Sequence, residues 1–205
     1  MKQIHYLLQY PKRTLLVILF VGFILRLLGM IHITLSGDFL LYWLKMGELF
    51  DEGIFPLLGP TASSNPNFHF GPLYFYLLAI PYFLGDSNYY YAIFFFSLLS
   101  TFSIYVLYRT CKQMLSEKLS MRITALYALS YFMIFIGNYP INSFLVPFFT
   151  ILSMYCMTQI LHNKYHFLAI LLGIFGLLIQ AHYTATVSYT HLRAHETDSY
   201  LVCRL

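Results

Sequence analysis

An all-α, polytopic transmembrane protein of about five spans is the fold this sequence predicts. Three observations carry it. Of 205 residues, 59% are hydrophobic and only 10% are charged, against about 25% charged in soluble domains. Aromatic residues, counted among the hydrophobic ones, make up 20% of the chain, which suits anchoring at membrane interfaces. The apolar residues also fall into runs near the roughly 20 that cross a bilayer as a helix. An integral membrane protein follows, and no nucleic-acid partner is expected.

The elements come in this order. Residues 15–32, "LLVILFVGFILRLLGMIH", form the first span; no small-residue cleavage site follows to make it a signal sequence. Residues 38–52 read as an amphipathic helix lying on the membrane surface. Asp38 is its favourable N-cap. Lys45, Glu48 and Glu52 share one face, while Phe39, Leu40, Trp43, Leu44 and Phe50 fall largely on the other. Residues 55–72 hold four prolines and read as irregular. Residues 72–85 are apolar but would make only about 21 Å of helix, with Pro72 at the start and Pro81 inside. Four further spans are expected at 88–108, 123–139, 143–161 and 167–185.

Charge placement sets the topology. The basic stretches are "MKQIHYLLQYPKR", the loop at 109–122 and "HNKYH" at 162–166. Basic loops stay cytoplasmic. All three do so only if 72–85 is an outer-surface or re-entrant helix rather than a span. The N-terminus is then cytoplasmic, and residues 33–87 form one long external segment with surface helices. Loops of that length are usually functional.

The C-terminal end changes character. From Val187 the chain reads "VSYTHLRAHETDSYLVCRL", polar and aperiodic. "VSYTHLRAHET" resembles one reading frame of a transposase-type sequencing adaptor, and "LVCRL" the same frame of its far end. Residues 187–205 are therefore set aside as adaptor read-through, with Thr186 doubtful. Residues 1–186 are expected to be the N-terminal part of a longer protein.

Polar groups collect at the external face: Asp38, His69, the turn from Asn138 to Asn142, and "QAHY" at 180–183. Four of the first six acids lie within residues 38–52. Glu48, Asp51 and Glu52 read as a solvated face. Arg26 lies inside the first span, where an ionisable side chain suggests function; it either holds a phosphate or snorkels outward. Cys111 and Cys156 read as apolar packing residues. Together with Cys203 they share no metal-ligand spacing. No cofactor is expected, since one acid at the site makes a poor nest for a divalent ion.

The segments "SGDFLLYWLKMGELF", "LLGPTA", "HFGPLYFYLLAIPYFLG", "ALYALSYFMIFIGNYPINSFLVPFF" and "LIQAHYTA" resemble, in order, bacterial GT-C-type glycosyltransferases. The most similar group is the dolichyl-phosphate-mannose-protein mannosyltransferase-like proteins, related to the lipid A aminoarabinose transferase. The resemblance covers about residues 14–185. It implies a polyprenyl-phosphate-linked sugar donor, a glycan, lipid or protein acceptor, and transfer with inversion at the external face of the bacterial inner membrane. It makes Asp38 the catalytic carboxylate. The segment with Tyr74 is implied to line the donor site, and Arg26, Lys45, His69, Asn142 and His182 are further candidates for binding substrate. Some members carry a second acid where this chain has "GNYPINSF"; here Asn138 and Asn142 are the polar residues. A helix cap for Asn142 and an interfacial structural role for His69 stand beside their site roles.

Two other function classes are open to the residues alone. A transporter or flippase calls for polar groups along several spans and broken, repeat-related helices; Arg26 is the one such group, and no repeat is visible. A non-catalytic membrane subunit is the other.

Overall fold

A computed structural model describes residues 11–29, 37–62 and 65–182. The stretch set aside from residue 187 lies outside the described residues, as do Tyr183 and the first ten residues. The architecture is helical: α1 Pro11–Gly29, α2 Gly37–Asp51, α3 Leu73–Leu84, α4 Tyr90–Met114, α5 Glu117–Leu129, α6 Tyr131–Asn138, α7 Leu145–Leu161 and α8 Phe167–Ala181. A short 3-10 turn at Asn142–Phe144 leads into α7.

The packing differs from that of a water-soluble bundle. Ser97, Ser103, Thr110, Ser120, Thr124, Ser153 and Thr158 are buried, whereas Phe20, Leu126, Leu168 and Leu172 are more than half exposed. Small polar residues let membrane helices approach closely. Their hydroxyls donate back to their own helix, as from Thr110 to the Val106 carbonyl and from Thr124 to the Ser120 carbonyl. Many large apolar side chains also face outward, which a lipid surround makes favourable. Among the described residues, α4 and the stretch Asn142–Leu161 are long and apolar enough to cross a membrane, and α5 with α6 makes a third if taken as one bent span. α1 has the length but carries Lys12, Arg13 and Arg26. α8 has 15 residues.

Four expectations need correction. The stretch 109–122 is not a loop. α4 runs on to Met114 and α5 starts at Glu117, so the turn is two residues long. Snorkelling Arg109 and Lys112 let the helix continue past its apolar part. Residues 123–139 are not one helix either: α5 and α6 meet at Ser130 with a 61° bend, and Ser130 is extended there, with φ −62° and ψ 121°. Residues 55–72 are not wholly irregular, since Thr61–Ala62 (β1) pairs antiparallel with Asn65–His69 (β2). The prolines hid this ribbon from sequence reading, because proline is tolerated at strand edges. Asp38 also lies in the first turn of α2 rather than at its cap, where an acid is favoured by the helix dipole.

α3 has 12 residues, about 18 Å of helix and too short for a hydrocarbon core of about 30 Å. Its end at Gly85 abuts Tyr91, and Tyr74 near its start packs on Phe96. Both ends thus meet the first turns of α4, so α3 is inclined across that end of the bundle. The connections sort the two ends. Asn138 meets the Arg26 carbonyl and Asn142 meets the Ala181 carbonyl at the end where α3 lies. Gln159 meets Gln113 at the other, which also carries Lys12, Arg109, Lys112 and Lys164.

Candidate active site at one end of the bundle

α2 docks on α3 through an aromatic seam. Phe39, Trp43, Met46 and Leu49 are its buried side chains, and their three- and four-residue spacing is one helical face. Trp43 packs against Tyr82 and donates from Nε1 to the Ser87 carbonyl at 3.0 Å. Phe50 stacks on Tyr82. Glu48, Asp51 and Glu52 are exposed, as a solvated face requires.

This docking leaves Asp38 exposed, one turn before Tyr42. Burial, and then the nearby Asp38 charge, push the Tyr42 phenol above its ordinary range. The Tyr42 ring meets Tyr74 and Phe75 edge-on, each at 5.6 Å between centroids. One further turn along, Lys45 Nζ lies 5.6 Å from the centre of the Phe75 ring. Asp38, Tyr42 and Lys45 thus form a ladder on the edge of α2 that faces the start of α3.

Tyr74 is fully buried and donates its hydroxyl to the Pro140 carbonyl at 2.6 Å. That bond ties α3 to the turn between α6 and α7. Asn142, in the same turn, donates from Nδ2 to the Ala181 carbonyl at 3.0 Å. It satisfies one of the carbonyls that a helix end leaves open. His182 follows at once and stacks on Phe70, with centroids 5.2 Å apart and planes 24° apart. Burial holds the His182 imidazole below its ordinary pKa, which favours the neutral ring.

The segment between β2 and α3 is pinned backbone to backbone. Gly59 N–H donates to the Phe70 carbonyl, and Phe70 N–H to the Pro60 carbonyl, both at 2.9 Å. A Cβ on Gly59 would run into the Gly71 carbonyl, and one on Gly71 into the Gln180 side chain. "LLGP" and "HFGP" therefore need their glycines for close approach. His69 donates from Nδ1 to the Gly59 carbonyl at 3.2 Å, leaving Nε2 as its other ring nitrogen.

Of the candidates from sequence, Asp38, Lys45, Tyr74, Asn142, His69 and His182 are linked through these contacts at one end of the bundle. Arg26 is held elsewhere. It is fully buried and donates from Nε to Ser100 Oγ at 2.8 Å. Nη1 donates to the Gly22 and Ala128 carbonyls at 2.9 and 3.2 Å, and Nη2 to the Met133 carbonyl at 3.4 Å. In this arrangement it does not snorkel; it spans the break at Ser130. Sequence reasoning missed Tyr42 and Phe70. Tyr42 had a signal, since it lies four residues after Asp38 and such pairs are neighbours on a helix.

No curated protein and no solved structure matches the chain. The family model of the dolichyl-phosphate-mannose-protein mannosyltransferases matches residues 66–202. That stretch begins after Asp38 and Lys45 and takes in His69, Tyr74, Asn142 and His182. Two thirds of this integral membrane chain is thereby covered, and the chain belongs to the dolichyl-phosphate-mannose-protein mannosyltransferase family, membrane enzymes that transfer sugars.

Proposed function

We propose that the intact protein transfers a sugar from a polyprenyl-phosphate-linked donor to an acceptor hydroxyl, with inversion, and that Asp38 is the general base. The observation that carries this reading is the exposed Asp38 carboxylate at the head of the α2 ladder, beside the segment of Tyr74 that opens the family match. An acceptor hydroxyl loses its proton as it attacks the anomeric carbon, and a carboxylate in hydrogen-bond reach takes it, an effect worth about 10²–10⁴-fold in rate. The leaving phosphate already carries charge well and needs no acid. Lys45 and His69 are the cationic or donor groups nearest this end for stabilising charge that develops on it. Tyr74, Asn142 and His182 shape the wall behind them.

The site end lies opposite the basic end, and basic segments stay in the cytoplasm. The site accordingly faces the outside or periplasm, and the bacterial inner membrane is the proposed location. The break at Ser130 is a feature that transporters also use. Here Arg26 occupies its carbonyls, and the adjoining cavity is only about 20 Å3, which favours a structural kink over a transport path.

The test is transfer by the intact protein carrying Asp38→Asn. Transfer should fall at least a hundredfold while membrane insertion and amount stay unchanged. Transfer within a few-fold of the parent would remove Asp38 from the mechanism.

A further inference from the structure

At the end of the bundle away from Asp38, a cleft of about 490 Å3 opens between α1, α4 and the start of α5. Phe96, which contacts the Tyr74 region, precedes Arg109 by 13 residues on the same helix, or about 20 Å. The cleft is therefore separate from the site described above, and nothing in that reading bears on it. Lys12, Arg109 and Lys112 line it, with Tyr105 and Tyr108. Among the described residues, Glu117 is the one carboxylate in its wall.

The cations are held at defined positions. Arg109 donates from Nη1 to Tyr105 Oη at 3.0 Å and lies over that ring. Lys112 and Tyr108 both donate to Glu117 Oε1, at 3.1 and 3.0 Å. This fixes the carboxylate against one side and neutralises one of the three positive charges. Lys12 is exposed and enters from α1. The volume suits a small polar ligand. The wall then continues into lipid-facing surface: Leu15 lines the cleft, and Leu16, Phe20 and Phe102 are exposed just deeper along the same helices.

We propose that this cleft binds the phosphate headgroup of an anionic membrane lipid, with its acyl chains along the apolar faces of α1 and α4. The excess of cations selects negative charge. The Tyr105 hydroxyl, which accepts from Arg109 and keeps its own proton, supplies a neutral hydrogen bond, and the adjoining apolar wall selects a lipid over a free anion. Basic recesses between spans are suited to such headgroups.

The test is native mass spectrometry of the full chain released from detergent, with phosphatidylglycerol and phosphatidylcholine offered in equal amounts. The parent should retain phosphatidylglycerol several-fold more than phosphatidylcholine. Lys12→Gln and Arg109→Gln should each lower that preference about five-fold, the worth of one basic residue near an anionic surface. Lys12→Arg and Arg109→Lys should keep most of it, and Asp38→Asn all of it. Should the Arg109→Gln chain fail to fold, Lys12→Gln, at an exposed position, gives the answer alone. Equal retention of the two lipids by the parent would overturn the proposal, as would an unchanged preference in the neutral variants. Full displacement of phosphatidylglycerol by about 10 mM inorganic phosphate would assign the cleft to a free anion instead.

Discussion

Arg26 and Asn138 hold each other's helices in opposite senses. The Arg26 carbonyl, near the end of α1, accepts a hydrogen bond from Asn138 Nδ2 at 3.2 Å, while the Arg26 guanidinium reaches back to the Ala128 and Met133 carbonyls on either side of the break that precedes Asn138. One residue gives side chain for backbone and receives the same in return. The kink at Ser130 is thereby fixed to α1, and with it the turn that receives Tyr74.

Replacing Arg26 tests that joint. Arg26→Met should destabilise the protein by about 2–4 kcal/mol, since charge-assisted bonds are lost and the Ala128 carbonyl, left open by the end of α5, loses its partner. Arg26→Lys should restore little, because one ammonium cannot serve acceptors spread across α1, α4 and the break. Reversible unfolding in detergent, read by circular dichroism, measures both. A Met variant as stable as the parent would show that the break holds by itself.

Gly137 sits where a Cβ would strike Ser100 Oγ and come within 2.8 Å of Arg26 Nε. Gly137→Ala should cost about 1–3 kcal/mol as an overpacked contact. Gly173 has nothing within 4 Å, and Gly173→Ala should be neutral or stabilising by up to about 1 kcal/mol through helix propensity. The pair carries the same chemical change, so opposite signs in the unfolding measurement would isolate the close approach.

Tyr74→Phe keeps the ring and removes the bond to Pro140. A loss of about 1–2 kcal/mol is expected, because a buried carbonyl is left without its donor. If the turn also positions the site, transfer by the intact protein should fall further than the fraction unfolded explains.

His182 supplies a pH dependence. Its folded pKa is held below the unfolded value of about 6.5, so the unfolded chain takes up a proton first as pH falls. The stability due to the neutral, stacked ring is complete above that value and declines as pH drops toward the folded pKa. His182→Gln should flatten the midpoint against pH between about 7 and 5. An unchanged slope would place the titration elsewhere.

What was legible in the sequence followed from simple physics, and what was hidden followed from its limits. α1, α4, α7 and α8 show as apolar runs, and α2 as an amphipathic repeat, because lipid and interface each demand one pattern. The short α3 was readable from 14 residues and two prolines. The break at Ser130 was not, since 123–139 is apolar throughout and a serine is common in membrane helices. Arg26 was visible as an anomaly, but its partners lie about a hundred residues away and no spacing rule reaches them. The β1–β2 ribbon was hidden by its prolines. The ladder of Asp38, Tyr42 and Lys45 was half legible: the helix was read, but not which of its edges meets α3.

The distance in sequence between Arg26 and its acceptors has a consequence for how the chain is made. Ala128 lies 102 residues and Met133 107 residues after Arg26. At about 5–20 residues per second of synthesis, the first span exists for roughly 5–20 seconds before either carbonyl is available. Arg26 lies in the last turn of α1, and an arginine inside a span costs up to about 2.5–3.5 kcal/mol on insertion scales, the full cost being reached at a helix centre. Nascent chains halted before residue 128 should therefore be extracted from the membrane more readily at high pH than chains halted after residue 161. The first span is then expected to settle in lipid only once the kinked helix has been made.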